Sequence, residues 1–107
     1  MRPVQLTVTG VGVSSPIPLD RMLNPFNVGL SIDVGAGCTY TVEYTNDDVF
    51  AVTFNPATAL WFPHPNLTAQ TTDGIGNIAF PVTAVRLNQT VGAAATVFRV
   101  TQSGSIS

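Results

Sequence analysis

Between Val28 and Val34 the chain alternates without interruption, with Val28, Leu30, Ile32 and Val34 on one phase and Gly29, Ser31 and Asp33 on the other. A period of two is what a pleated strand requires, because successive side chains point to opposite faces. The pattern recurs along the chain. Val4, Leu6 and Val8 alternate with Gln5, Thr7 and Thr9; Cys38, Tyr40, Val42 and Tyr44 alternate with Thr39, Thr41, Glu43 and Thr45; Phe98 and Val100 oppose Val97 and Arg99. Each such strand has one face to bury, which calls for two sheets packed on each other. Composition agrees: 14 Val and 14 Thr stand against four basic and six acidic side chains, a mixture suited to strands and turns rather than to helices with charged outer faces. At 107 residues the chain has room for one core.

The connections are marked by Gly, Pro, Asn and Asp. Gly10-Val11-Gly12 ends the first strand, and the stretch around Pro16 and Pro18 lacks ladder donors, so it is expected as a Pro-rich connecting arm over about 13–25, pinned by Ile17 and Leu19. Gly35-Ala36-Gly37 is short enough to join its flanking strands as a hairpin. Phe50, Val52 and Phe54 suggest a further short strand, residues 57–70 read as irregular, and Asp73-Gly74-Ile75-Gly76-Asn77 reads as a turn. Beyond it, Ile78, Phe80 and Val82 occupy even positions whereas Val85 and Leu87 occupy odd ones, which predicts a bulge near Thr83 or Ala84. The sum is an all-β domain: a single antiparallel β-sandwich, jelly-roll-like, of about seven or eight short strands over residues 1–102, with 103–107 as a mobile tail.

Charge narrows the function. The chain has no Lys, and Arg2, Arg21, Arg86 and Arg99 are dispersed, so no basic patch is available for phosphates and no nucleic-acid partner is expected. No run of apolar residues is long enough for a membrane helix or a signal peptide, and no membrane partner is expected. A surface with so little charge does little to keep identical sheet edges apart, so homo-oligomers are expected.

The chemistry-bearing residues are few. Cys38 has no partner for a disulfide and shares the phase of Tyr40 and Val42, where a small buried apolar group fits best. A Cys38–His64 nucleophile pair is formally available, but His64 sits between Pro63 and Pro65, a setting that suits stacking or hydrogen bonding better than base catalysis. One His and one Cys do not make a zinc site, and Asp47, Asp48 and Asp73 lack calcium-loop spacing. We therefore expect no enzymatic activity, no catalytic residue, no metal site and no cofactor. Trp61-Phe62-Pro63-His64-Pro65 is the most distinctive local cluster, a rigid aromatic loop fit either to anchor a sugar or protein partner or to plug one end of the sandwich.

Several stretches taken together resemble a group of small structural proteins of tailed phages. They are Leu6-Thr7-Val8-Thr9-Gly10-Val11-Gly12, Pro18-Leu19-Asp20, Asn24-Pro25-Phe26-Asn27-Val28-Gly29-Leu30, Tyr40-Thr41-Val42-Glu43-Tyr44-Thr45-Asn46-Asp47-Asp48, Gly76-Asn77-Ile78-Ala79-Phe80-Pro81-Val82-Thr83-Ala84-Val85-Arg86-Leu87-Asn88 and Val100-Thr101-Gln102-Ser103-Gly104. The resemblance is to capsid decoration, or cement, proteins. It implies a protein made in the bacterial cytoplasm and carried on the phage head surface, whose partners are the major capsid protein and further copies of itself. A tail or neck component, or a carbohydrate-binding module on the virion, is the alternative. The residues expected to make contact are Ile17, Leu19 and Arg21 in the arm and Trp61, Phe62 and His64 in the aromatic loop.

Overall fold

The alternating segments become strands whose apolar phases meet across one core. The computed structural model describes residues 4–19, 27–47, 49, 51–55, 57–79 and 82–103. Among these are nine strands: β1 (Val4–Thr9), β2 (Gly12–Val13), β3 (Ile17–Pro18), β4 (Asn27–Asp33), β5 (Thr39–Thr45), β6 (Trp61–Pro63), β7 (Gly74–Ile78), β8 (Ala84–Val91) and β9 (Ala95–Ser103). They form two antiparallel sheets, one in the order β1-β9-β4-β7 and the other in the order β2-β8-β5-β6, with β3 also pairing β8 beyond β2. The fold is an all-β sandwich. Val28, Leu30, Ile32, Phe98 and Val100 from the first sheet meet Tyr40, Val42, Val85 and Leu87 from the second, all at most 3 % exposed.

Five local expectations are corrected. β4 and β5 do not form a hairpin; they lie in different sheets. A hairpin would have placed their apolar phases side by side on one face, whereas crossing between sheets lets each phase cover the other. The crossing is fixed by Cys38 N–H donating to Gly35 O at 3.0 Å and by Gly35 N–H donating to Thr96 Oγ1 at 3.1 Å. The parity change between Ile78 and Val85 likewise comes from passing from β7 in one sheet to β8 in the other, not from a bulge at Thr83 or Ala84. The register shift in β8 lies instead opposite Thr39 and Tyr40, where Thr39 pairs Val91 and Tyr40 pairs Gln89.

Gly74-Ile75-Gly76 is the body of β7 rather than a turn. A side chain on Gly74 would collide with the Tyr40 hydroxyl and with Leu67, so the glycine there serves close approach inside a strand. The strand expected around Val52 is absent. Residues 51–55 form bends and turns, with Phe54 N–H donating to Ala51 O at 3.0 Å and Ala59 N–H to Asn55 O at 2.9 Å, and Val52 is fully exposed. Val52 and Phe54 find no sheet position here, because β6 already occupies that edge of β5; Phe50 lies outside the described residues. At the C-terminus the ordered sheet extends one residue past the expected boundary: Ser103 pairs Asn27, and 104–107 lie outside the described residues.

One end of the sandwich is organised by a polar side chain in the core phase of β8. Gln89, fully buried, donates through Nε2 to Gly10 O at 2.9 Å and Ala94 O at 3.0 Å. It thereby ties the β1–β2 turn to the β8–β9 turn. That second turn runs through Gly92 at φ 103°, where a Cβ would meet Cys38 Sγ at 2.6 Å, so both the backbone and the close approach require glycine.

Candidate functional site

The expected contact residues separate into three fates. Ile17 and Leu19 are each 5 % exposed and belong to the chain's own core, because the described part of the arm, 13–19, runs along the second sheet: Val13 pairs Asn88 and Ile17 pairs Val85. They pin the arm, as expected, but in doing so they are withdrawn from any partner. Arg21 lies outside the described residues. Trp61, Phe62 and His64 follow one another along the outer edge of β5, and the pleat sends them to different places.

Trp61 lies on the outer face of the second sheet, where the Arg86 guanidinium sits 4.1 Å from its ring centroid. Arg86 Nε donates to Glu43 Oε1 at 2.7 Å, directly across the β5–β8 ladder. A cation held by a carboxylate and laid on an indole is a fixed cluster, and it covers one face of the ring. Phe62 points the other way and stacks on Tyr44, with centroids 5.9 Å apart, while remaining 41 % exposed. Sequence spacing pointed to this loop but not to Arg86 or Glu43, since their pairing depends on a register between strands 43 residues apart.

His64 is 4 % exposed, and both ring nitrogens are engaged. The Asn66 N–H, 3.2 Å away, can only donate to Nδ1, so Nε2 carries the proton and donates it to Asn77 O at 2.9 Å. The ring therefore bridges the edge of the second sheet to β7 of the first. From there the chain continues to line β5: Val42 N–H donates to Leu67 O at 2.9 Å, and Tyr40 and Gln70 exchange backbone bonds at 3.0 and 2.9 Å. Leu67 is buried beneath Gly74 and Gly76, and the Tyr40 hydroxyl donates to Thr72 O at 2.9 Å. Burial, and to a lesser degree the nearby Asp73 carboxylate, raises the Tyr40 phenol above its ordinary value. Residues 61–72, which overlap the 57–70 stretch read as irregular, are thus a seam that closes one side of the sandwich.

Cys38 is buried, with its thiol 3.5 Å from Ala94 O, so it and His64 are each engaged by their own backbone neighbours. Asp47 Oδ2 accepts the Leu60 N–H at 3.0 Å and Asp73 Oδ1 the Val34 N–H at 2.9 Å, so both carboxylates brace turns. No three His, Cys, Asp or Glu side chains gather at one point among the described residues.

What the molecule offers to the outside is sheet surface. The outer face of the first sheet carries Gln5, Thr7 and Thr9 on β1, Arg99 and Thr101 on β9, Gly29 and Asp33 on β4 and Ile75 and Asn77 on β7, all exposed. A shallow groove of about 240 Å³ runs over Gly29 and Ser31 between Ile75 and the Arg99–Thr101 stretch. Asp33 and Arg99 are the charged side chains of this face among the described residues. Such a surface suits adhesion by shape, hydroxyl groups and backbone. No protein-family model matches this chain, and neither does any curated protein or solved structure.

Proposed function

We propose that this chain is a non-enzymatic virion structural protein of a tailed phage, a decoration protein that binds the outer surface of an icosahedral head and bridges its capsid subunits. The observation that carries the reading is the broad, exposed and sparsely charged outer face of the first sheet, in a molecule whose Asp47, Asp73 and His64 serve its own turns and seam. An adhesive subunit needs contact surface rather than a cleft, and weak contacts repeated over a shell add up through multivalency. The short stretches that resemble small phage structural proteins support the same reading. The strand order supports a finer one: with β2 and β3 counted as one interrupted strand, β1-β9-β4-β7 facing β2-β8-β5-β6 is the order of a jelly roll. The carbohydrate-binding alternative gains nothing from Trp61, whose ring is already covered on one face by Arg86.

The test is quantitative mass spectrometry of the purified particle produced by the genome that encodes this chain. A decoration protein is expected in a simple ratio to the major capsid protein, hundreds of copies per particle. A handful to a dozen copies would place it in the tail or neck, and its absence from the particle would overturn the virion reading.

A further inference from the structure

The two sheets have four edges, and three of them are guarded. β2 and β3 are two residues each and are interrupted around Pro16, with Pro18 closing the second. β6 is three residues and ends on Pro63. β7 is overlaid by the seam: its Asn77 carbonyl accepts a hydrogen bond from His64 Nε2–H, and Leu67 packs on Gly74 and Gly76. Short edges, proline and an overlying segment are the ordinary means by which a sheet avoids further pairing. Among the described residues, β1 has none of them. It is six residues long, Val-Gln-Leu-Thr-Val-Thr, without proline, glycine or charge, and among the described residues β9 is the only strand it pairs.

We propose that β1 is a self-association strand, on which a second copy of this chain adds its own β1 antiparallel to give a continuous eight-stranded sheet across a two-fold axis. The occupant follows from the strand itself. An isologous pair sets residues near the axis opposite or diagonal to their own copies, so a charge in the middle of β1 would meet its like; this strand carries none. The faces also match. With the axis perpendicular to the sheet through Leu6 or through Thr7, odd positions oppose odd and even oppose even. Val4 and Leu6 pack on the core yet stay partly exposed at this open side; with the axis through Leu6 they lie against Val8 and Leu6 of the second copy, and with the axis through Thr7 Leu6 lies against its Val8. Gln5, Thr7 and Thr9 align on the outer face. A six-residue edge buries less than the roughly 1,200 Å² of stable complexes, so the dimer dissociates on dilution and half-associates at about 0.1–1 mM. This pairing does not depend on the virion reading, since it is a property of the purified chain.

Sedimentation equilibrium of the purified chain from 10 µM to 1 mM, with hydrogen exchange at both ends of that range, tests it. The expected result is a reversible monomer–dimer equilibrium, with concentration-dependent protection confined to amides of residues 4–9. Thr7→Lys and Thr7→Glu are each expected to weaken self-association several-fold, and an equimolar mixture of the two to recover it, which a misfolded variant cannot do. A monomer throughout the range, protection elsewhere than β1, undiminished association of the single variants, or failure of the mixture to recover would each overturn the proposal.

Discussion

The two long sides of this sandwich are built from similar strands and treated oppositely. On one side, β6 and the segment to Thr72 tie β5 of the second sheet to β7 of the first through the His64–Asn77, Val42–Leu67, Tyr40–Gln70 and Tyr40–Thr72 hydrogen bonds. On the other, among the described residues, β1 pairs only β9 and has the short β2 of the second sheet beside it. The difference shows how irregular chain can be structural. The seam has little regular secondary structure, yet it satisfies the backbone of two strands and covers their core, whereas the regular β1 has one edge of its ladder without a partner strand among the described residues.

Four substitutions would break or sharpen this contrast. The largest effect is expected in the seam: Leu67→Ala empties a fully buried position between β5 and β7 and should lower stability by about 2–5 kcal/mol in thermal or denaturant unfolding. A loss as small as that of a surface substitution would mean that the seam is ornament. Tyr40→Phe deletes the bond to Thr72 and should cost about 1 kcal/mol. The same variant has a pH signature. Because the folded-state phenol is raised above 10.0, the unfolded chain ionises first, so stability present below pH 10 falls as pH rises beyond it; Tyr40→Phe should flatten that part of the alkaline loss. Unfolding curves measured between pH 8 and 11 decide this.

Smaller changes are expected at the seam's backbone and on the open side. Ala69 sits at φ 51° with an exposed side chain, and Ala69→Gly should raise stability by about 0.5 kcal/mol, the relief of a left-handed alanine exceeding the added freedom of the unfolded chain. On β1, Thr7→Lys should leave monomer stability within about 0.5 kcal/mol of the parent when measured at low micromolar concentration. If Thr7→Lys destabilises the monomer as strongly as Leu67→Ala, the open side is not open.

Much of the fold could be read from alternation. β1, β4, β5 and the body of β9 lie where their phases placed them, and Val28, Leu30, Ile32, Tyr40, Val42, Phe98 and Val100 are buried as their phase demanded. A single strand's phase says which face is buried, but not which strand lies beside it. The Gly35–Cys38 connection therefore read as a hairpin when it crosses between sheets, and the parity change after Ile78 read as a bulge for the same reason. Gln89 was legible in principle, as a polar residue continuing the apolar phase of Val85 and Leu87, yet its partners Gly10 and Ala94 come from turns far apart in sequence. At the candidate site, the aromatic loop was visible as a cluster of residue types. The separation of Trp61, Phe62 and His64 onto a sheet face, an edge and a seam was not.

By itself the sequence determined that this chain is all-β, that it holds one core and that its surface carries little charge, because side-chain period, turn residues and charge are local properties of the chain. The tertiary structure alone decided that Ile17 and Leu19 belong inside, that Arg86 lies on Trp61, that the proline-flanked histidine closes a side, and that β1 pairs only β9 among the described residues. Those outcomes depend on which strands become neighbours. That choice is made by the burial of whole faces against one another, a sum over distant segments that no local pattern contains.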